Sequence, residues 1–201
     1  HEALADLRDA ERLGEVLDDV RPDVVFHAAA LKHLSLLEMY PQEAWKTNVV
    51  GTLNVLRAAE RAGVGTFINI STDKAANPTC VLGYSKRITE RLTSQVGQES
   101  MGTYASVRFG NVLGSRGSML GTFRAQIEAG GPVTVTHKDV SRFFMTIPEA
   151  VQLVLQSASV ASDGEVLVLD MGDEVRIDDV ARRLIERSGT QVDIMYTGLR
   201  S

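Results

Sequence analysis

Thr66-Phe67-Ile68-Asn69-Ile70-Ser71 runs directly into Thr72-Asp73-Lys74-Ala75, and a stretch of helical period containing Leu82-Gly83-Tyr84-Ser85-Lys86 follows. A short apolar run rich in β-branched residues, a polar break and then a helix form the repeating unit of parallel sheets. The same alternation recurs along the chain. Strands are predicted over residues 23–27, 66–71, 103–109, 132–136 and 165–170, and helices over 10–20, 43–62, 82–97, 118–129, 148–159 and 177–188. In the first helix Leu13, Val16, Leu17 and Val20 share one face. Pro148 suits a first helical turn, Asp178 and Asp179 complement the positive end of the last helix, and Gly63 marks a stop after Ala62. The expected fold class is α/β, a parallel sheet with flanking helices. A change of character over 110–121 separates a sheet portion, residues 1–110, from a smaller, loop-rich portion, residues 111–201, expected to bind substrate.

With 201 residues, 44% hydrophobic content and 17 glycines, the chain is long enough for one sizeable core. A net charge of −5 without a Lys/Arg block argues against nucleic acid as a partner. The lone Cys80 cannot close an internal disulfide, so a reducing compartment, the cytoplasm, is expected, and Cys80 reads as a packed thiol rather than a nucleophile. The longest apolar stretch, residues 24–31, is interrupted by His27 and is far shorter than the ~20 residues of a membrane helix, so no membrane contact is expected of these residues. No metal is expected.

Asp73 and Lys74 stand where the strand over 66–71 ends, and carboxyl ends of parallel strands are where such sheets build their sites. An acid beside an amine can supply both proton transfers of an elimination, with desolvation and mutual charge tuning Lys74 towards a neutral base and Asp73 towards an acid. A solvated ion pair accounts for the same two residues, but the strand end and the neighbouring Lys86 favour a site. Leu82 and Lys86 share a helix face, whereas Tyr84 lies ~200° round from Leu82, either a tyrosine on the other side of the helix or a doubtful member of the site. Phe26-His27-Ala28-Ala29-Ala30 closes a strand with small residues that admit either a flat ligand or a closely packed helix. Asn48 interrupts an apolar helix and needs hydrogen bonds there, whether to bend the helix or to serve a site. Arg108-Phe109-Gly110-Asn111-Val112-Leu113-Gly114-Ser115-Arg116-Gly117 leaves a strand for a loop that can offer N–H groups and a guanidinium to a diphosphate. Arg142 and Arg200 could add to it, though singly each reads as a surface ion pair.

Six stretches then stand in order: His27-Ala28-Ala29-Ala30-Leu31-Lys32-His33, Thr47-Asn48-Val49-Val50-Gly51-Thr52, Ser71-Thr72-Asp73-Lys74-Ala75-Ala76-Asn77-Pro78, the loop 108–117, Phe144-Met145-Thr146-Ile147-Pro148-Glu149-Ala150 and Thr197-Gly198-Leu199-Arg200. Over nearly the whole chain they closely resemble the UDP-N-acetylglucosamine 4,6-dehydratases of polysaccharide and capsule biosynthesis, a branch of the extended short-chain dehydrogenases/reductases. The resemblance implies a Rossmann-like sheet holding NAD, which oxidises C4 of a UDP-sugar so that the C5 proton becomes acidic, water leaves from C6 and hydride returns to C6. It implies that Lys74 takes the C5 proton, that Asp73 protonates the leaving hydroxyl with Thr72 in the same catalytic set, and that Lys86 holds the nicotinamide ribose. Asp6 would hydrogen-bond the adenine, and Leu7, Ala28, Ala29, Ala30, Lys32, Asn48 and Ser71 would complete the cofactor site. Lys32, His33, Asn111, Arg116, Arg142 and Arg200 would bind the UDP-sugar. A homo-oligomer is implied as well.

The chain departs from that pattern in three places. Leu82 stands where members carry tyrosine or, in larger membrane-anchored forms, often methionine, which leaves the C4 base open among Lys74, an ordered water and Tyr84. Ser201 takes the place of a proline, and the first two strands and the Gly-x-Gly-x-x-Gly turn that open a dinucleotide domain are absent, residues 1–6 reading as the last residues of a strand. On the resemblance this is the cytosolic, N-terminally incomplete piece of a membrane-anchored member, expected to self-associate through exposed edges and to bind NAD poorly by itself. Two other readings are a nucleotide-sugar 4-epimerase, which needs no acid for a leaving hydroxyl, and a non-catalytic sugar-nucleotide sensor, for which Leu82 speaks.

Overall fold

The alternating runs become, in a computed structural model that describes residues 2–115 and 118–198, the following order: α1 (Ala10–Val20), β1 (Val24–His27), α2 (Leu34–Met39), α3 (Pro41–Ala44), a π-helical turn (Trp45–Val50), α4 (Gly51–Arg61), β2 (Thr66–Ile70), a 3-10 turn (Asp73–Ala75), α5 (Val81–Glu99), β3 (Thr103–Arg108), β4 (Asn111–Val112), α6 (Met119–Glu128), β5 (Val133–Val135), β6 (Ser141–Arg142), β7 (Phe144–Met145), α7 (Ile147–Val160), β8 (Val166–Val168), β9 (Val175–Arg176), α8 (Ile177–Ser188) and β10 (Ile194–Tyr196). None of the described helices is long and apolar enough to cross a membrane.

The chain forms two compact units. Residues 1–109 with 152–169 form one, and residues 110–151 with 170–201 the other. In the first, four parallel strands run in the order β1-β2-β3-β8. Register sets Phe67 opposite Tyr104, and their rings stack with centroids 5.4 Å apart, inside a core that also holds Leu56, Ala59, Val64 and Val96. Helices cover the sheet, as expected of a Rossmann-like α/β unit. Helix α1 starts at Asp9, whose side chain accepts from the Arg12 N–H, and ends at Arg21 in the left-handed region. In the second unit β5 pairs with β10, β4 with β7 and β6 with β9 around Phe123, Ile127, Val133, Val135, Ile177 and Ala181.

Two sequence expectations need correction here. Residues 2–6 form no strand end: they pair with nothing in the described sheet, and Leu4 is 94% exposed. The long helix over 43–62 is instead α3, a π-helical turn and α4 in succession. The turn is centred on Asn48, whose amide reaches out of the helix to the backbone of Leu31, and an extra residue per turn is the usual signature of such a diversion.

Helix α5 lies against the 3-10 turn at its own first turn. A Cβ on Gly83 would come within 2.6 Å of the Lys74 carbonyl oxygen and 3.2 Å of Pro78 Cβ. Gly83→Ala is therefore expected to lower stability by about 1–3 kcal/mol, the usual cost of overpacking, read as a fall in the urea midpoint. An unchanged midpoint would show that the turn yields freely. At the end of β1, His27 is buried with Nε2 2.8 Å from Thr52 Oγ1. Burial first, then the charge of Lys86, lowers its pKa from 6.5 to about 4. The unfolded chain thus binds this proton from pH 6.5 downward and the folded chain only near 4, so the stabilisation is complete above 6.5 and is lost as pH falls towards 4. That gap is on the order of 3 kcal/mol. Urea midpoints between pH 7 and 4.5 should fall less in His27→Gln than in the parent; parallel falls would exclude His27 as the titrating group.

Candidate active site

Beyond the last residue of β2 the chain keeps two more hydrogen bonds to β3 and its extension: Ser71 N–H donates to the Val107 carbonyl (2.7 Å) and Asp73 N–H to that of Phe109 (3.1 Å). Thr72 between them is extended, and the 3-10 turn begins at Asp73. Three donors converge on Asp73 Oδ1: Thr72 Oγ1 at 2.9 Å, the Lys74 N–H at 2.8 Å and Lys74 Nζ at 2.9 Å. Both side chains of the ion pair are only 25% exposed. Burial opposes ionisation of Asp73, but the hydrogen bond and charge of Lys74, with the bonds from Thr72 and the Lys74 N–H, outweigh it and hold the carboxyl below its ordinary range. Asp73, Lys74 and Thr72 therefore form one hydrogen-bonded group at a strand end.

Lys86 is buried and donates from Nζ to the Ile70 carbonyl at 2.7 Å, at the end of the same strand. Burial lowers its pKa to about 8, with the negative charge of Glu90 pulling the other way. Ser71 directs its hydroxyl to Glu90 Oε1 at 2.6 Å rather than into open space. Glu90 and its partner Arg108 were not singled out in the sequence as a pair, although Glu90 stands one helical turn beyond Lys86. A carboxylate that close to a site lysine on an inward helix face is the signal that marks it.

The small residues after β1 are open: Ala28 and Ala29 are exposed and Ala30 is half-buried, so a packed helix does not account for the first two. Asn48, wholly buried, accepts from the Leu31 N–H (2.8 Å) and donates to the Leu31 carbonyl (2.9 Å) and to Ser85 Oγ (3.1 Å). Its amide clamps the loop that carries Ala28–Ala30 to α5. Lys32 and His33 are exposed on that loop. The Asp6 carboxylate accepts from the Arg8 N–H at 2.9 Å, and Leu7 packs on Gly51 while its carbonyl accepts from Asn54. Leu82 is buried with Leu37 and Ala44, and Tyr84 is 55% exposed. The helix thus presents Leu82 to an apolar cluster. In the second unit, the Asn111 N–H donates to the Phe143 carbonyl from β4, and exposed Arg142 reaches the Ser141 carbonyl. Arg116 and Arg200 lie outside the described residues.

All 201 residues match a family model described as polysaccharide biosynthesis protein. The probable polysaccharide biosynthesis protein EpsC of Bacillus subtilis (strain 168) is 48% identical over 203 residues, covering 100% of this chain and 34% of its own length. A UDP-glucose 4-epimerase of Rickettsia akari is 36% identical over 98% of this chain and 58% of its own. The chain therefore spans about a third of the first relative and little over half of the second. Among solved structures, the dTDP-glucose 4,6-dehydratase DesIV from Streptomyces venezuelae, with NAD and TYD bound, superposes with a TM-score of 0.89 at 20% identity over 98% of this chain and 66% of that one, which is a likeness of fold. Matched end to end by the family model, the chain belongs to the polysaccharide biosynthesis protein family.

Proposed function

We propose that the protein to which this chain belongs is a lyase that dehydrates a UDP-N-acetylhexosamine to a 4-keto-6-deoxy sugar with NAD, for polysaccharide or capsule assembly. The observation that carries the reading is the shielded Asp73–Lys74 contact of 2.9 Å at the carboxyl end of a central parallel strand. An epimerase needs no acid there.

The residues present fit a dinucleotide: Ala28 and Ala29, small and exposed, follow the end of β1, and Lys86 brings a buried ammonium to the end of β2. When bound, NAD supplies reversible hydride removal at C4 of the sugar. Lys86 would hold the ribose. Asn48 fixes the loop bearing Ala28–Ala30, with Asp6, Leu7, Lys32 and Ser71 in the proposed cofactor set. Lys74 Nζ accepts the proton from C5, next to a carbonyl, and Asp73 donates one to the hydroxyl departing from C6. In the resting ion pair Asp73 is the carboxylate, and the direct hydrogen bond from Lys74 is the path by which a proton reaches it. In the resting site Lys74 and Thr72 outweigh burial and hold the carboxyl below its ordinary range, so protonating Asp73 depends on the further desolvation that bound substrate brings. Thr72 Oγ1 holds Asp73 Oδ1 through the exchange.

The reading extends to the second unit as the UDP-sugar portion, with Asn111, Arg116, Arg142 and Arg200 towards the UDP and Lys32 and His33 completing the substrate set. It includes a cytoplasmic site of action and a homo-oligomer, for which exposed Leu36, Met39, Tyr40 and Trp45 speak. Incubated with UDP-N-acetylglucosamine, the intact protein should yield a product lighter by one water with a C4 carbonyl, and Asp73→Asn or Lys74→Ala should lower kcat by roughly 10²–10⁴-fold, the span of a lost acid or base. Recovery of only the C4 epimer, or of unreacted sugar, would overturn the reading.

A further inference from the structure

A buried carboxylate stands behind the site. The Glu90 side chain is 1% exposed, yet four bonds meet on it: Ser71 Oγ (2.6 Å) and Arg108 Nε (2.7 Å) donate to Oε1, and Arg108 Nη2 (2.6 Å) and Arg87 Nη1 (3.3 Å) donate to Oε2. Burying an ion pair adds little net stability compared with apolar packing of the same volume, so the interest lies in what this one connects. Ser71 immediately precedes Thr72 and Asp73, and Arg108 immediately precedes Phe109, whose carbonyl receives the Asp73 N–H. Glu90 therefore joins both strand ends from which the Asp73–Lys74 turn hangs. It also follows Lys86 by four residues on α5, on the same buried face.

We propose that Glu90 is a positioning residue for this site: its carboxylate fixes the ends of β2 and β3 beneath the Asp73–Lys74 turn and gives Lys86 its counter-charge from within the same helix. The inference rests on the dehydratase reading for its consequence in turnover, and for its effect on Lys86 on the placement of both residues four apart on the buried face of α5. Lys86 bonds the Ile70 carbonyl at the end of β2, its charge reaches His27 at the end of β1, and Arg87 adjoins it on the helix. Glu90 is the charge that acts on it, and Lys86 in turn depresses His27.

Two variants of the intact protein separate the roles. Glu90→Gln keeps the length and the Ser71 contact but removes the charge; Glu90→Asp keeps the charge but shortens the reach. Lys86 titration is followed by NMR of carbon-13-labelled lysine side chains, assigned with Lys86→Arg. In Glu90→Gln it should move down from about 8 by roughly one pH unit, the scale of a lost neighbouring charge, whereas in Glu90→Asp it should stay near the parent. Turnover should fall at least about tenfold in both with KM for the UDP-sugar near the parent value, the pattern of lost transition-state alignment. Lys86 titration unmoved in Glu90→Gln, unchanged turnover in both, or failure of both to fold would overturn the proposal, the last by making Glu90 a purely structural residue. If the parent forms no 4-keto product, the dehydratase reading fails while the Lys86 titration still decides the role of Glu90.

Discussion

Two backbone hydrogen bonds hold the whole arrangement: those by which Ser71 and Asp73 extend the ladder of β2 onto Val107 and Phe109 after the regular pairing has ended. Without them Thr72-Asp73-Lys74 would be an ordinary loop with three polar side chains. With them, the Asp73 backbone is as fixed as a strand residue, and its carboxylate can collect three donors on a single oxygen. Parallel register does the rest. Because β1, β2 and β3 align side by side, His27, Ser71 and Arg108 arrive at one end of the sheet, and α5 lays Lys86 and Glu90 across it.

The cost of gathering charge in a shielded place is met by pairing. Glu90 is matched by Arg108 and Arg87, Asp73 by Lys74, and Lys86 by a backbone carbonyl and the charge of Glu90. His27 has a hydroxyl partner but no such charge, and it responds in the only way open to it, by losing its proton. Breaking one partner of a buried pair typically costs about 3–5 kcal/mol, so the network constrains substitution at Glu90 and Arg108.

The strand–turn–helix at 66–86 was legible because its elements are long enough to show their period, and α1 and α8 end where Asp9, Arg21 and Gly189 cap them. The strands β4, β6, β7 and β9 have two residues each, too few for alternation to register. The π-helical turn was hidden because Asn48 marks an irregularity without saying which loop it binds, and that partner, Leu31, is distant in sequence. Of the candidate site, Asp73 and Lys74 came from position at a strand end and Lys86 from the helix that follows. Ser71 entered through the resemblance as a cofactor residue, and its bond to Glu90 was not legible, because a side chain at the end of a strand can point to either layer. Leu82 was weighed for what it lacks, a hydroxyl; its place among Leu37 and Ala44 shows what it contributes, apolar contact of α5 with α2 and α3.

The central claim is that Asp73 and Lys74 move protons to and from the carbon skeleton of the sugar, and isotope placement tests it most directly. With UDP-N-acetylglucosamine in D₂O, the intact protein should give a 4-keto-6-deoxy product carrying solvent deuterium at C5, with the hydrogen gained at C6 coming from C4 of the substrate rather than from solvent. A product inverted at C4 with no carbon-bound deuterium would contradict the account.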